Sequence, residues 1–392
     1  MKKNIFTLFL MMLISGANAT DFKTPAKSAF LIDYDSGTEI FAKEADTLMP
    51  PSSMIKLMTL AVLFDELKAG NITMDTRFNV GENADYNKPE WYPASKICLV
   101  AGQTITVRDL ILGLIVLSGG DASMVVAETL AGNEDAFTQM MEKKARSIGM
   151  KESTFGNASG LPNPNNLMTS RELAILGQHL ISDYPDIYPL FATKRFEFKE
   201  HKSDWCRDWG RTHTVNYNKL LFNMRGADGM KTGHTNEGGY GMVASAKNGG
   251  RRLIGVINGL NAKNHDALAT EMKKLLEYGF SSTTNKTFFK PGDTVVNIPV
   301  WYGRSKDVIA TTEKPFVVTV PAGEGTRDVR ILARYNEPVI APVRAGDVVG
   351  EIIAQKNGTV IGRANLVAKD TVKKKQLFGR VIENLRVIFG LR

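Results

Sequence analysis

The sequence predicts a mixed α/β (α+β) protein. One antiparallel sheet covered by helices comes first, then a small all-β domain, then a terminal amphipathic helix. Three observations carry this. Strand-like runs stand at both ends of residues 20–282, with helical runs between them. Beyond Phe280 only short alternating runs remain, separated by Pro and Gly. The last stretch, 373–392, repeats apolar residues at helical spacing behind Lys373, Lys374 and Lys375.

Taken in order, Lys2 and Lys3 precede an apolar run from Ile5 to Ile14, and Ala17-Asn18-Ala19 closes it. This reads as a secretory signal peptide over residues 1–19, cleaved after Ala19. Its apolar core is too short for a permanent membrane span. The mature chain is therefore expected outside the cytoplasm. Ser28 to Asp33 and Thr38 to Ala42 read as strands around the turn Asp35-Ser36-Gly37. A buried amphipathic helix starts at Ser53 and ends near Gly70. Residues 75–105 carry no period and are expected to be irregular. Helices follow over Val107 to Leu117 and Ala122 to Leu130, joined by Ser118-Gly119-Gly120-Asp121, then near 134–148 and 169–181. Gly239 to Lys247 and Arg252 to Leu260 alternate as a hairpin across Asn248-Gly249-Gly250. A helix near 265–278 ends the first unit, with Leu268, Met272, Leu275 and Leu276 on its apolar face.

Residues 283–372 read as the all-β domain, with runs such as Thr294 to Val300, Val329 to Tyr335 and Val348 to Ala354. In the tail, Leu377, Phe378, Val381, Ile382, Leu385 and Phe389 share one helical face, with Arg380 and Arg386 towards the other. Such a helix suits a membrane interface, where its apolar face inserts and its cations meet anionic lipid. Packing on the protein's own core is the competing reading.

The net charge of +8 is modest for 392 residues and much of it lies in the tail, so no nucleic-acid surface is expected. Two cysteines, Cys98 and Cys206, make no disulfide framework, and the sequence leaves their pairing open. Neither has a second cysteine or a histidine pair at ligand spacing. No metal and no cofactor are expected.

Three short stretches carry chemistry. Ser53 and Lys56 stand three apart at a helix start, so hydroxyl and amine share a face. A serine is a poor nucleophile until a base takes its proton. A lysine is that base only when burial and the positive helix end lower its pKa. Alone, this spacing is more often an N-cap serine and a surface lysine. The second stretch, Ser118-Gly119-Gly120-Asp121, connects two helices. The third, Lys231-Thr232-Gly233, precedes the hairpin, and its strand is expected beside the reactive helix, able to bind an extended peptide along its edge. In this order the three match the S-x-x-K, S-x-N and K-T-G set of penicillin-binding proteins and class A β-lactamases, with the second altered at its last position.

With Ala158-Ser159-Gly160-Leu161-Pro162, Asp228-Gly229-Met230-Lys231-Thr232-Gly233-His234-Thr235, Gly346-Asp347-Val348-Val349-Gly350 and Phe378-Gly379-Arg380-Val381, the chain resembles the D-alanyl-D-alanine carboxypeptidases. These are low-molecular-mass penicillin-binding proteins of the DacA type. The resemblance implies a serine transpeptidase/β-lactamase-like catalytic domain over 20–282. It implies a periplasmic protein held by its terminal helix on the outer face of the inner membrane. The implied partners are pentapeptide stems of peptidoglycan, with β-lactams as covalent inhibitors. Ser53 is the implied nucleophile, Lys56 its base, and Ser118 and Lys231 the proton relay. Thr232, Gly233, His234 and Gly120 are implied to meet substrate.

Two departures stand out. Gly120 replaces the usual asparagine, so Gly120→Asn is expected to raise turnover if the missing amide limits it. Leu268 stands where the family often has an arginine for the substrate carboxylate, leaving His265 or Arg251 as candidates. The alternatives to a carboxypeptidase are a β-lactamase-like hydrolase and a penicillin-binding wall protein weakened at Gly120.

Overall fold

The computed structural model describes residues 22–92 and 94–376. The expected signal peptide and nearly all of the expected tail helix lie outside them.

Both ends of the first unit supply strands to one sheet, as the alternation predicts. The unit runs β1 (Ser28–Asp33), β2 (Glu39–Lys43), α1 (Lys56–Lys68), the short pair β3 (Arg77–Asn79) and β4 (Thr104–Thr106), α2 (Val107–Leu112) and α3 (Gly120–Ala131). It continues through α4 (Glu134–Ser147), α5 (Ser170–Asp183), α6 (Asp204–Thr212) and α7 (Leu220–Asn223). The hairpin region is β5 (Ala227–Thr235), β6 (Gly239–Asn248) and β7 (Arg251–Leu260), and α8 (His265–Ser282) closes the unit. The strands lie in the order β2-β1-β7-β6-β5, every pairing antiparallel. This leaves β5 at an edge.

Side chains alternate between two cores because successive strand residues point to opposite faces. Phe30, Val243, Ile254 and Val256 pack with α1 to α5. Leu31, Met242, Ala244, Leu253 and Ile257 pack with α8. Every residue from Lys56 to Phe64 is buried, as the buried helix expected there requires, and only the last turn of α1 reaches the surface. The helix expected over Val107 to Leu117 is α2 followed by one wider π turn, Gly113–Leu117. Helix α6 falls in a stretch for which the sequence predicts no element.

The second unit is all-β, as expected. It contains β8 (Thr283–Phe289), β9 (Val296–Trp301), β10 (Asp307–Thr311), β11 (Phe316–Pro321), β12 (Val329–Tyr335), β13 (Val339–Ile340), β14 (Val348–Lys356) and β15 (Thr359–Ala368). Six strands form the sheet β12-β14-β15-β10-β9-β13, and β11 pairs with β8. Ile298, Val318, Ile352 and Leu366 lie at its core.

The two units meet at Asp33, which is fully buried. One carboxylate oxygen accepts Arg251 Nε at 2.7 Å and the other accepts Asn285 Nδ2 at 3.0 Å. Arg251 also donates to the Thr283 carbonyl at 2.7 Å. The lysines expected to open the tail helix belong to this second unit instead. Arg304 donates its N–H to the Lys373 carbonyl at 2.8 Å, and Lys375 donates to the Tyr302 carbonyl at 2.7 Å. Edge pairing holds these residues extended.

Candidate active site

Ser53 lies in a tight 3₁₀ turn, Ser52–Ile55, that leads into α1. Lys56 is the first residue of α1 and is 2 % exposed. Its Nζ lies 3.0 Å from Ser53 Oγ and also donates to the Ser159 carbonyl. Burial pushes the Lys56 amine down to about 7, against the pull of the Asp121 carboxylate. The desolvation argued from the sequence is therefore present. A near-neutral amine beside a hydroxyl is a proton acceptor in place.

Strand β5 runs alongside this turn. A β-carbon on Gly233 would stand 2.8 Å from the Pro51 carbonyl oxygen and 3.1 Å from Ser53 N. Only glycine lets the strand approach so closely. Lys231 is buried, and its Nζ donates to the Thr232 carbonyl at 3.0 Å. Burial and the neighbouring Lys56 hold its pKa well below the usual lysine value. Thr232 is buried at the cavity wall, and the exposed His234 ring packs on Tyr240 with centroids 4.0 Å apart.

The second stretch turns sharply. Ser118 caps the π turn in a left-handed conformation, φ 58°. Gly120 opens α3 and offers no side chain to a substrate. Its N–H already donates to the Ser95 carbonyl at 2.8 Å. The space where a side chain would stand is taken by the indole of Trp91, with Cζ3 2.7 Å from a β-carbon built on Gly120. The amide expected to be missing is thus replaced by a packed ring.

A cavity of about 500 Å³ joins these pieces. Ser53, Lys56, Ser118, Gly120, Thr232, Gly233 and His234 line it, while Lys231 sits behind its wall. Residues the sequence reading passed over also line it: Glu90, Tyr92, Ser95 and Tyr217. They come from the irregular segment and from the loop before α7, where no period marks them. Of the two candidates to replace an arginine at Leu268, His265 lines the cavity and Arg251 does not. Arg251 is engaged at the domain junction. Leu268 itself is core. Burial, with Lys231 and His234 nearby, pushes the His265 imidazole down to about 4, so it is neutral at pH 7. Among the described residues no cluster of side chains suits a metal ion.

A helix-start serine with a buried lysine partner, faced by a Lys-Thr-Gly edge strand, defines a serine acyl-transfer protein of the penicillin-binding class. Residues 15–264 match the D-alanyl-D-alanine carboxypeptidase family, and residues 284–374 match the C-terminal domain of penicillin-binding protein 5. The chain is 34 % identical to the D-alanyl-D-alanine carboxypeptidase DacC of Escherichia coli (strain K12), over 91 % of this chain and 86 % of that one. The crystal structure of penicillin-binding protein 5 from Haemophilus influenzae superposes with a TM-score of 0.79 at 31 % identity. It covers 91 % of this chain and 100 % of its own. Penicillin-binding protein D2 from Listeria monocytogenes, in its ampicillin-bound form, is similar over 67 % of this chain and 100 % of its own, at 25 % identity and a TM-score of 0.56. The chain belongs to the D-alanyl-D-alanine carboxypeptidase family.

Proposed function

We propose that this chain removes the terminal D-alanine from peptidoglycan stem peptides through an acyl-enzyme on Ser53. The observation that carries the reading is the 3.0 Å contact between Ser53 Oγ and a Lys56 amine held near pKa 7. Ser53 Oγ attacks the carbonyl carbon between the two terminal D-alanines, and Lys56 takes its proton. The backbone N–H groups of Ser53 and His234 stabilise the oxyanion. The last D-alanine leaves as its nitrogen gains a proton relayed through Ser118 and Lys231. Water then attacks the ester and frees the shortened stem. Thr232 receives the terminal carboxylate, and that anion favours the charged form of Lys231. Penicillin offers the same acyl carbonyl and acylates the same oxygen. The test is release of D-alanine from a D-Ala-D-Ala peptide. A chain that binds penicillin covalently but releases none favours the weakened wall protein. One that turns penicillin over rapidly favours a β-lactamase.

The chain is further assigned to the periplasm, on the outer face of the inner membrane, after loss of residues 1–19. The signal-like start and the basic apolar tail support this. A Cys98–Cys206 disulfide fits an oxidising compartment.

A further inference from the structure

Trp91 and residues 95–99 lie along the Ser118–Asp121 turn and grip it at several points. The fully buried Asp121 carboxylate accepts the N–H groups of Ile97, Cys98 and Leu99 at 2.9, 2.8 and 3.0 Å. Ser95 holds the Gly120 N–H, and the Trp91 ring fills the space over Gly120. Trp91 is fixed in turn. Its indole N–H donates to the Asn83 carbonyl at 2.9 Å, and its own carbonyl accepts Lys96 Nζ at 2.7 Å.

Two residues in this contact hold left-handed backbone without being glycine: Cys98 at φ 80° and Ser118 at φ 58°. Such conformations persist only where the surroundings impose them. At Cys98 the surroundings are the Asp121 carboxylate on one side and a disulfide to Cys206 of α6 on the other. Helix α6 buries only Cys206 and Gly210 and carries Asp204, Arg207, Asp208 and Arg211. Apolar burial alone gives it little hold. Trp205 and Trp209 of α6 lie 5.7 and 5.6 Å from the Lys96 ammonium, and Trp205 stacks on Tyr86. The disulfide is its covalent link to the cavity wall.

We infer that the Cys98–Cys206 disulfide, with α6, is a positioning strap for the Ser118–Gly120 turn. It holds residues 95–99 against the turn, keeps Cys98 and Ser118 left-handed, and seats Trp91 over Gly120. Cys98, Cys206 and Trp91 are positioning residues and touch no reacting atom. The catalytic consequence rests on the carboxypeptidase reading; the mechanical one does not.

The experiment compares the oxidised mature chain with three forms. One is the folded chain treated with a trialkylphosphine, which with one water turns the disulfide into two thiols and itself into the phosphine oxide. The others are Cys206→Ser and the double variant Cys98→Gly with Cys206→Ser. Two quantities are read: the rate of acylation by a fluorescent penicillin and amide hydrogen exchange over 95–99 and 118–122. Reduced chain and Cys206→Ser are expected to acylate at least about tenfold more slowly and to exchange faster at both stretches. The glycine double variant should recover most of the rate, because glycine keeps the left-handed backbone without a strap. A loss through general destabilisation would not be rescued in this way. Folded reduced chain with unaltered exchange at 118–122 overturns the inference, as does a glycine variant no faster than Cys206→Ser. Should Cys206→Ser fail to fold, phosphine treatment of the folded chain supplies the same comparison. Release of D-alanine by the oxidised chain reports on the carboxypeptidase reading, whereas exchange reports on the strap without it.

Discussion

Trp91 and Gly120 are complementary: the indole Cζ3 stands 2.7 Å from the point a β-carbon on Gly120 would occupy. The ring is 1 % exposed and tied to Asn83, so it has no free path away. This reverses the effect the sequence suggests for Gly120→Asn. The new side chain would displace the ring before it could reach a substrate. Overpacking of this kind costs about 1–3 kcal/mol. Gly120→Asn is expected to lose that much unfolding free energy, to melt at a lower temperature and to release D-alanine more slowly. Trp91→Ala makes room, so the pair Trp91→Ala/Gly120→Asn should show a favourable coupling of about 1 kcal/mol or more in a double-mutant cycle. A Gly120→Asn chain with full stability and faster release would restore the reading of a decayed motif.

What was legible in the sequence is what local spacing decides. Ser53 and Lys56 meet because three residues nearly close a helical turn. Lys231 to His234 lie on a strand because alternation and a glycine turn mark the hairpin behind them. Trp91 over Gly120 was not legible, because segment 75–105 has no period to place it. The Cys98–Cys206 bond spans 108 residues, and its distance depends on the whole intervening fold. The Ser159 carbonyl that receives Lys56 is a backbone atom, which no residue type announces. Lys373 to Lys375 read as the start of a helix by composition, but pairing with residues 302–304 decides their form.

The Lys56 amine, near pKa 7, sets the expected pH dependence of acylation. Only the neutral amine accepts the Ser53 proton. As pH falls below about 7 the amine becomes charged, and the rate should drop about tenfold per pH unit. Fluorescent penicillin labelling between pH 5 and 9 measures this. Ser53→Ala and Lys56→Ala should each abolish labelling. Full labelling of Ser53→Ala would move the nucleophile elsewhere, with Ser52 the next candidate.

The Asp33–Arg251 pair, at 0 % and 11 % side-chain exposure, ties the first unit to the second through Asn285 and Thr283. Removing one partner of a buried pair leaves the other charge without full compensation, at a cost of about 3–5 kcal/mol. Asp33 keeps Asn285, Ser36 and backbone donors, so Arg251→Met should lie near the lower end. The expected result is a lower melting temperature with penicillin labelling unchanged at 25 °C, because Arg251 takes no part in lining the cavity. A variant that melts like wild type would show the junction to be held by other contacts, such as Ser36 with Thr319.

The tail supplies the last prediction, and the structure moves the point at which to cut. Truncation from Lys373 would remove a pairing that the second unit uses, and so confuse unfolding with release. The cut belongs after Gln376, which leaves that edge intact. Residues 377–392 then carry Arg380, Arg386 and Arg392 against Glu383. Near an anionic surface each cation contributes about 1 kcal/mol, a contribution that salt screens. Burial of Phe378, Val381, Ile382, Leu385 and Phe389 adds a part that salt does not weaken. Full-length protein should therefore sediment with vesicles containing anionic lipid and be only partly released by high salt. The chain ending at Gln376 should stay in the supernatant while Ser53 labels with penicillin as before. If the shortened chain sediments as well as the full one, the membrane contact lies elsewhere, and an uncleaved stretch of residues 1–19 becomes the first place to look.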